Sequence, residues 1–98
     1  MKFEWDEDKN AENLRKHGFD FADAWQVFHN PLIVRYDDRV HSGEDRWIGT
    51  GMMSNGVPIV LIFTERDREM IRIISMRKAT KNERTRYEKA IKDRLGKD

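Results

Sequence analysis

The chain has no cysteine. Disulfides and thiolate-held metals are thereby excluded, and a reducing compartment is permitted, so a cytoplasmic setting is the expectation. Histidine occurs only three times, at positions 17, 29 and 41, without metal-site spacing. There is no HExxH pair, no Gly-rich phosphate loop and no Ser-centred nucleophile motif. His41 beside Asp37 and Asp38 would hold a metal only weakly, and a flexible acidic loop explains that cluster better. Ser75 falls mid-strand, where it fills space or bonds backbone. No metal or other cofactor is expected. Long hydrophobic runs are missing too. The longest, Val57 to Phe63, is far too short to cross a bilayer. The N-terminal Met-Lys-Phe-Glu-Trp-Asp has no apolar signal-peptide core. A membrane partner is not expected, and no repeat or low-complexity tract appears.

What is abundant is charge. Of 98 residues, 38% are Asp, Glu, Lys or Arg and another 38% are apolar, so a polar surface surrounds one modest core in a single domain spanning 1–98. The net charge of +1 conceals an asymmetry. Residues 1–64 hold 7 Lys/Arg against 11 Asp/Glu, a balance of −4, and residues 65–98 hold 12 against 7, a balance of +5. A basic half suits a polyanion, whereas on charge alone a mixed solvated surface explains the split equally well.

Periodicity predicts the elements. Residues 2–5 alternate and form a short strand. Asp6 caps a helix running to His17, with Ala11 and Leu14 facing inward and Gly18 ending it. Asp20 caps a second helix whose apolar face is Phe21, Ala24, Trp25 and Phe28, stopped at Asn30-Pro31. The period then becomes two. Strands are expected over 32–36, over 46–53 (weakened by glycines), over 57–64 (covered on both faces) and over 70–76. A polar loop spans 37–45, a hairpin turn 54–56 and a charged turn 65–69. Thr80 and Glu83 form a capping box for a last helix with a Tyr87, Ala90, Ile91 and Leu95 stripe, closed by Gly96. The fold class is α+β: an antiparallel sheet with two N-terminal helices and one C-terminal helix, in the order β-α-α-β-β-β-β-α.

Three groups of residues suit chemistry. Lys16-His17 ends the first helix, where His17 is either a neutral-range acid or base or a cap on the last carbonyls. Arg46, Arg66, Arg68, Arg72 and Arg77 form a cationic set. Strict alternation places 72, 74 and 76 on one sheet face and 71, 73, 75 and 77 on the other. Arg72 interrupts an apolar strand, so it is either ion-paired (to Glu44, Glu65 or Glu69) or aimed into a phosphate site. Arg68 fits a solvated charged turn. Thr64-Glu65-Arg66 sets a carboxylate beside guanidinium groups, which would hold it ionised, although a surface turn accounts for it alone. Cations and a titratable His without metal ligands suit RNA cleavage by the substrate's own 2′-hydroxyl. That chemistry needs a base, an acid and cations to stabilise the phosphorane charge.

The chain also resembles the BrnT family of type II toxins. The resemblance rests on Phe3-Glu4-Trp5-Asp6, Lys9-Asn10, Asn13, Lys16-His17-Gly18, Phe21, Ala24 and Val27-Phe28. It continues through Gly43-Glu44-Asp45-Arg46-Trp47, Thr64-Glu65-Arg66, Ile71-Arg72-Ile73-Ile74-Ser75, Arg77-Lys78-Ala79, Glu83-Arg84 and Tyr87-Glu88. Met76 stands where a small residue is common, a matter of packing. The resemblance implies a RelE-like fold and a metal-independent endoribonuclease that arrests translation. It implies neutralisation by a BrnA-like antitoxin in a heterotetramer, with operator DNA contacted only through the antitoxin and RNA as the substrate. Carried over to this chain, it implies His17, Glu44, Arg46, Arg66, Arg72 and Arg77 as catalytic positions and Lys16, Thr64 and Lys78 as substrate-binding ones. His17 or Glu44 would move the proton. A competing expectation is a non-catalytic toxin-like module acting through its antitoxin complex. Direct DNA recognition is disfavoured, because helix 80–95 is basic but threaded with Glu83, Glu88 and Asp93.

Overall fold

A computed structural model describes residues 1–39 and 43–96. Strand β1 (Lys2–Trp5) leads into helix α1 (Glu7–His17), a 3₁₀ turn (Phe21–Asp23) and a one-turn helix α2 (Trp25–Phe28). Strands β2 (Ile33–Tyr36), β3 (Trp47–Met52), β4 (Pro58–Asp67) and β5 (Met70–Lys78) follow, and helix α3 (Lys81–Leu95) ends the described chain. None of the described helices is long and apolar enough to cross a membrane.

The five strands form one mixed sheet in the order β1-β5-β4-β3-β2. Strands β2 to β5 make the expected antiparallel meander. The first strand joins it as a parallel edge beside β5, pairing Phe3 with Ile71 and Trp5 with Ile73. Its four residues cover only the first part of β5. Beyond Ile73 no strand among the described residues pairs with that edge, and α1 packs there instead.

Each end signal works by hydrogen bonding. The Asp6 carboxylate accepts from Lys9 N at 3.0 Å, and Gly18, at φ 80°, closes α1 by donating its N–H to Leu14 O. The capping box at Thr80 and Glu83 is fully formed. Helix α1 differs from expectation in what it buries. Leu14 is 45% exposed and Ala11 is exposed, while Asn13 is buried. The helix meets the sheet at a polar edge rather than over an apolar face, so an amide serves there better than a methyl group. Trp25 also lies outside the core, at 46% exposed, and Val27 takes its place. The second predicted helix is a 3₁₀ turn followed by α-helix, and the change of pitch shifts the phase of its apolar stripe. At the end of α3, Leu95 is solvent-exposed. The turn predicted at 65–69 is shorter, because β4 continues to Asp67, paired with Met70.

The core lies on one sheet face. Ile59, Leu61, Phe63, Ile71, Ile73 and Met76 pack against Phe21, Ala24 and Val27. Phe28 bridges β1 and β4, with ring centroids 5.2 Å from both Phe3 and Phe63. The glycines of β3 permit this packing. A Cβ on Gly51 would stand 2.7 Å from Val27 Cγ1, and one on Gly49 would stand 3.1 Å from Leu32 Cδ1. Helix α3 covers part of the opposite face, over β2 and β3, where buried Tyr87 donates its hydroxyl to Pro31 O at 2.7 Å.

Candidate functional site

One irregularity in β5 organises the basic half. Ile62 pairs with Ser75, but its neighbour Phe63 pairs with Ile73, so Ile74 is an extra residue forming a β-bulge. Strict alternation would put Arg72 and Arg77 on opposite faces. The bulge reverses the phase between them. Arg72 pairs with Thr64, Ser75 with Ile62 and Arg77 with Val60, and these three β4 residues share the face opposite the core. Arg72, Ser75 and Arg77 therefore share one face, and Ile71, Ile73 and Met76 fill the other. Met76 is fully buried, in keeping with a packing role.

On that face the arginines are ordered by carboxylates. Glu4 of β1 sits beside Arg72 in the register, and its Oε2 lies 3.3 Å from both Arg72 Nη1 and Arg66 Nε. Two guanidinium groups thus share one carboxylate, leaving a net positive charge. Arg72 is about one-third exposed and Arg66 about half. The expected partners of Arg72, namely Glu44, Glu65 and Glu69, are not the one used. The long-range partner Glu4 was legible only in the alternation of residues 2–5, which sets it opposite Phe3 and Trp5.

Arg77 is held more tightly. Its Nη1 and Nη2 donate to Glu83 Oε1 and Oε2 at 2.8 and 2.9 Å, and Nη1 also reaches Lys78 O. Glu83 additionally accepts from Thr80 N at 2.8 Å. The Arg77 hydrogen bond brings the Glu83 pKa down to about 2, despite an opposing burial effect, and raises that of Arg77. Just before β3, Arg46 Nε lies 3.3 Å from Glu44 Oε2. Thr64 is buried and donates its hydroxyl to Asp45 O at 2.6 Å, tying down the end of the preceding loop.

The remaining candidates stand apart. Lys16 and His17 are exposed on the last turn of α1 and border a shallow hollow with Asn13, Ile74 and Ser75. Ser75 also lines the larger hollow that contains Arg77, so the two recesses adjoin across the bulge. Lys78 pairs with Ile59, which puts it on the core-side face at the exposed strand end, away from Arg72 and Arg77. Arg68 is exposed in the β4–β5 turn. The weak metal position at His41 lies outside the described residues. Arg35, in the larger hollow, escaped the sequence analysis although its alternation in β2 gives it the same face as Ile48.

The chain as a whole has counterparts among known proteins. Residues 5–83 match the family model described as "Ribonuclease toxin, BrnT, of type II toxin-antitoxin system". The chain belongs to the BrnT family. A crystal structure of the Brucella abortus ribonuclease toxin BrnT superposes with a TM-score of 0.63 at 31% identity, covering 83% of this chain and 99% of that one. Among curated proteins, no match to the chain was found. As a BrnT-family toxin it is one half of a toxin–antitoxin pair, and the family's activity is that of a ribonuclease.

Proposed function

We propose that this BrnT-family chain is a metal-independent endoribonuclease of RelE-like fold that arrests translation by cutting RNA at its arginine face. The observation that carries this reading is the common orientation of Arg72 and Arg77 across the bulge, with Arg66 joined to Arg72 through Glu4. Internal attack by a 2′-hydroxyl takes its nucleophile from the substrate and builds charge on the phosphorane oxygens. Planar guanidinium groups stabilise such charge through paired N–H donors. Arg66, Arg72, Arg77 and Arg46 are assigned to the phosphate. His17 or Glu44 is assigned to proton transfer, and Lys16 and Lys78 add positive potential. Thr64 serves through its bond to Asp45, which fixes the strand end beneath Arg46. DNA lacks the 2′-hydroxyl and is not cut.

The antitoxin is assigned as a BrnA-like protein that forms a heterotetramer with the toxin and supplies the contact with operator DNA. The decisive experiment incubates pure protein with total RNA in EDTA. Cleavage by the wild type, lost in an Arg72→Ala, Arg77→Ala double variant, is the expected result. Intact RNA beside an active control ribonuclease would overturn the assignment. The competing non-catalytic reading draws on the same ion pairs, since Arg46, Arg66, Arg72 and Arg77 each have a carboxylate partner. It predicts that wild type and double variant are equally harmless when expressed.

A further inference from the structure

Two hollows on the arginine face are continuous. Both are lined by Arg35, Ile48, Val60 and Glu83. Together they form a trough between the sheet and α3. Ile48, Val60 and Ile62 give it an aliphatic floor, Arg35, Arg77 and Arg86 give it cationic groups along its walls, and Asp37, Asp38 and Arg39 make one end of mixed charge. An apolar floor between cationic walls suits a flat base joined to a phosphate, as one nucleotide of a single strand presents them. Asp37 at one end is already engaged by Arg39, through bonds of 2.7 and 2.6 Å to both carboxylate oxygens.

Glu83 is the anomaly in this trough. A carboxylate charged at any working pH faces the arginine-lined stretch of the trough, and it takes a bond from each terminal nitrogen of Arg77. Its second bond, from Thr80 N, means it has a partner if Arg77 leaves. Arg77 is 39% exposed along its side chain, so a phosphate can approach it from solvent.

We propose that the trough is a nucleotide subsite flanking the cleavage site, and that Glu83 gates it. A phosphodiester enters by taking Arg77 from Glu83, which stays on the α3 cap. This rests on RNA being the substrate, and the consequence is selectivity. A lone small anion gains only Arg77 and must displace Glu83. A nucleotide strand also gains the aliphatic floor, Arg35 and Arg86.

The test measures binding separately from cleavage. The probe is a fluorescent single-stranded oligodeoxynucleotide, which lacks the 2′-hydroxyl and stays intact. Glu83→Gln keeps the capping box, since Gln serves at that position, but removes the competing charge. It is expected to tighten binding roughly two- to fivefold, the measure of a partly exposed ion pair. Arg86→Ala and Arg35→Ala are each expected to weaken binding and to lower the salt slope by about one. In the wild type, the Arg77 Nε–H resonance shifts on titration with the oligonucleotide while the Thr80 amide stays in place. This readout needs no variant to fold. Unchanged or weaker binding by a folded Glu83→Gln, or an unmoved Arg77 resonance at saturation, overturns the proposal. If total RNA is cut but binding ignores Arg35, Arg86 and Glu83, the subsite falls and the ribonuclease assignment stands. If RNA stays intact but binding responds as expected, the subsite stands and the ribonuclease assignment falls.

Discussion

The side-chain amide of Asn13 takes the place of a strand beside Met76. Its Oδ1 accepts from Met76 N at 3.2 Å and its Nδ2 donates to Met76 O at 2.8 Å, with a further bond to Phe19 O at 3.1 Å. This happens just where β1 stops and the edge of β5 would otherwise be bare. The contact joins α1 to the bulged segment and thus sets the position of Lys16 and His17 relative to Ser75.

Asn13→Ala is expected to destabilise the fold by about 2–4 kcal/mol, because it leaves two backbone groups of β5 and one of the α1 exit without partners. Asn13→Asp should be at least as harmful, since a carboxylate cannot donate to the two carbonyls. Urea unfolding followed by circular dichroism gives the values. A loss below about 0.5 kcal/mol for Asn13→Ala would show that water or relaxation replaces the amide.

How much of this was legible in the sequence varies from residue to residue. The capping box at Thr80 and Glu83, the Asp6 cap and the meander strands follow local rules, and local rules operate in the first few residues of an element. Asn13 had no assigned role, because its partner Met76 is 63 positions away. The common face of Arg72 and Arg77 was hidden for a different reason. A β-bulge changes the count by one residue, and nothing about Ile74 marks it as the inserted one. The glycines of β3 looked like a weakness. They are instead where α2 and Leu32 come down on the sheet.

Gly51→Ala tests that close approach. The new methyl would meet Val27 Cγ1 at 2.7 Å, and Val27 is fully buried. The expected loss is about 1–3 kcal/mol, the range for overpacking a dense core. Combining it with Val27→Ala should cost less than the sum of the two single changes, because the smaller side chain makes room for the methyl. Thermal unfolding of the three variants closes the cycle, and strict additivity would count against a Val27 clash.

Arg72→Ala should separate activity from folding. Its ion pair with Glu4 is long and partly exposed, so the stability change is expected to be within about 1 kcal/mol. RNA cleavage, by contrast, should drop about 10²-fold or more if the guanidinium stabilises the transition state. Glu4→Gln leaves both Arg66 and Arg72 without their carboxylate and should tighten RNA binding. A fall in cleavage that merely tracks a fall in melting temperature would assign Arg72 to the fold alone.

The Arg77–Glu83 pair also makes an acid-dependent contribution to stability. The Glu83 carboxyl has a folded-state pKa of about 2 against a reference of 4.5, so the folded protein holds its proton less readily than the unfolded chain. The stabilisation is therefore fully present above about pH 4.5 and is lost as pH falls towards 2. Because Arg77 is 39% exposed, solvent screening reduces the contribution to about 1 kcal/mol. Glu83→Gln removes the titration but keeps the cap. The stability difference between wild type and variant should be constant from pH 7 to 5 and shrink steadily from pH 4.5 to 2, as urea unfolding at each pH would show. A difference that stayed flat through that window would mean the carboxyl is not held by Arg77 in solution, and the gate assigned to it would then have nothing to release.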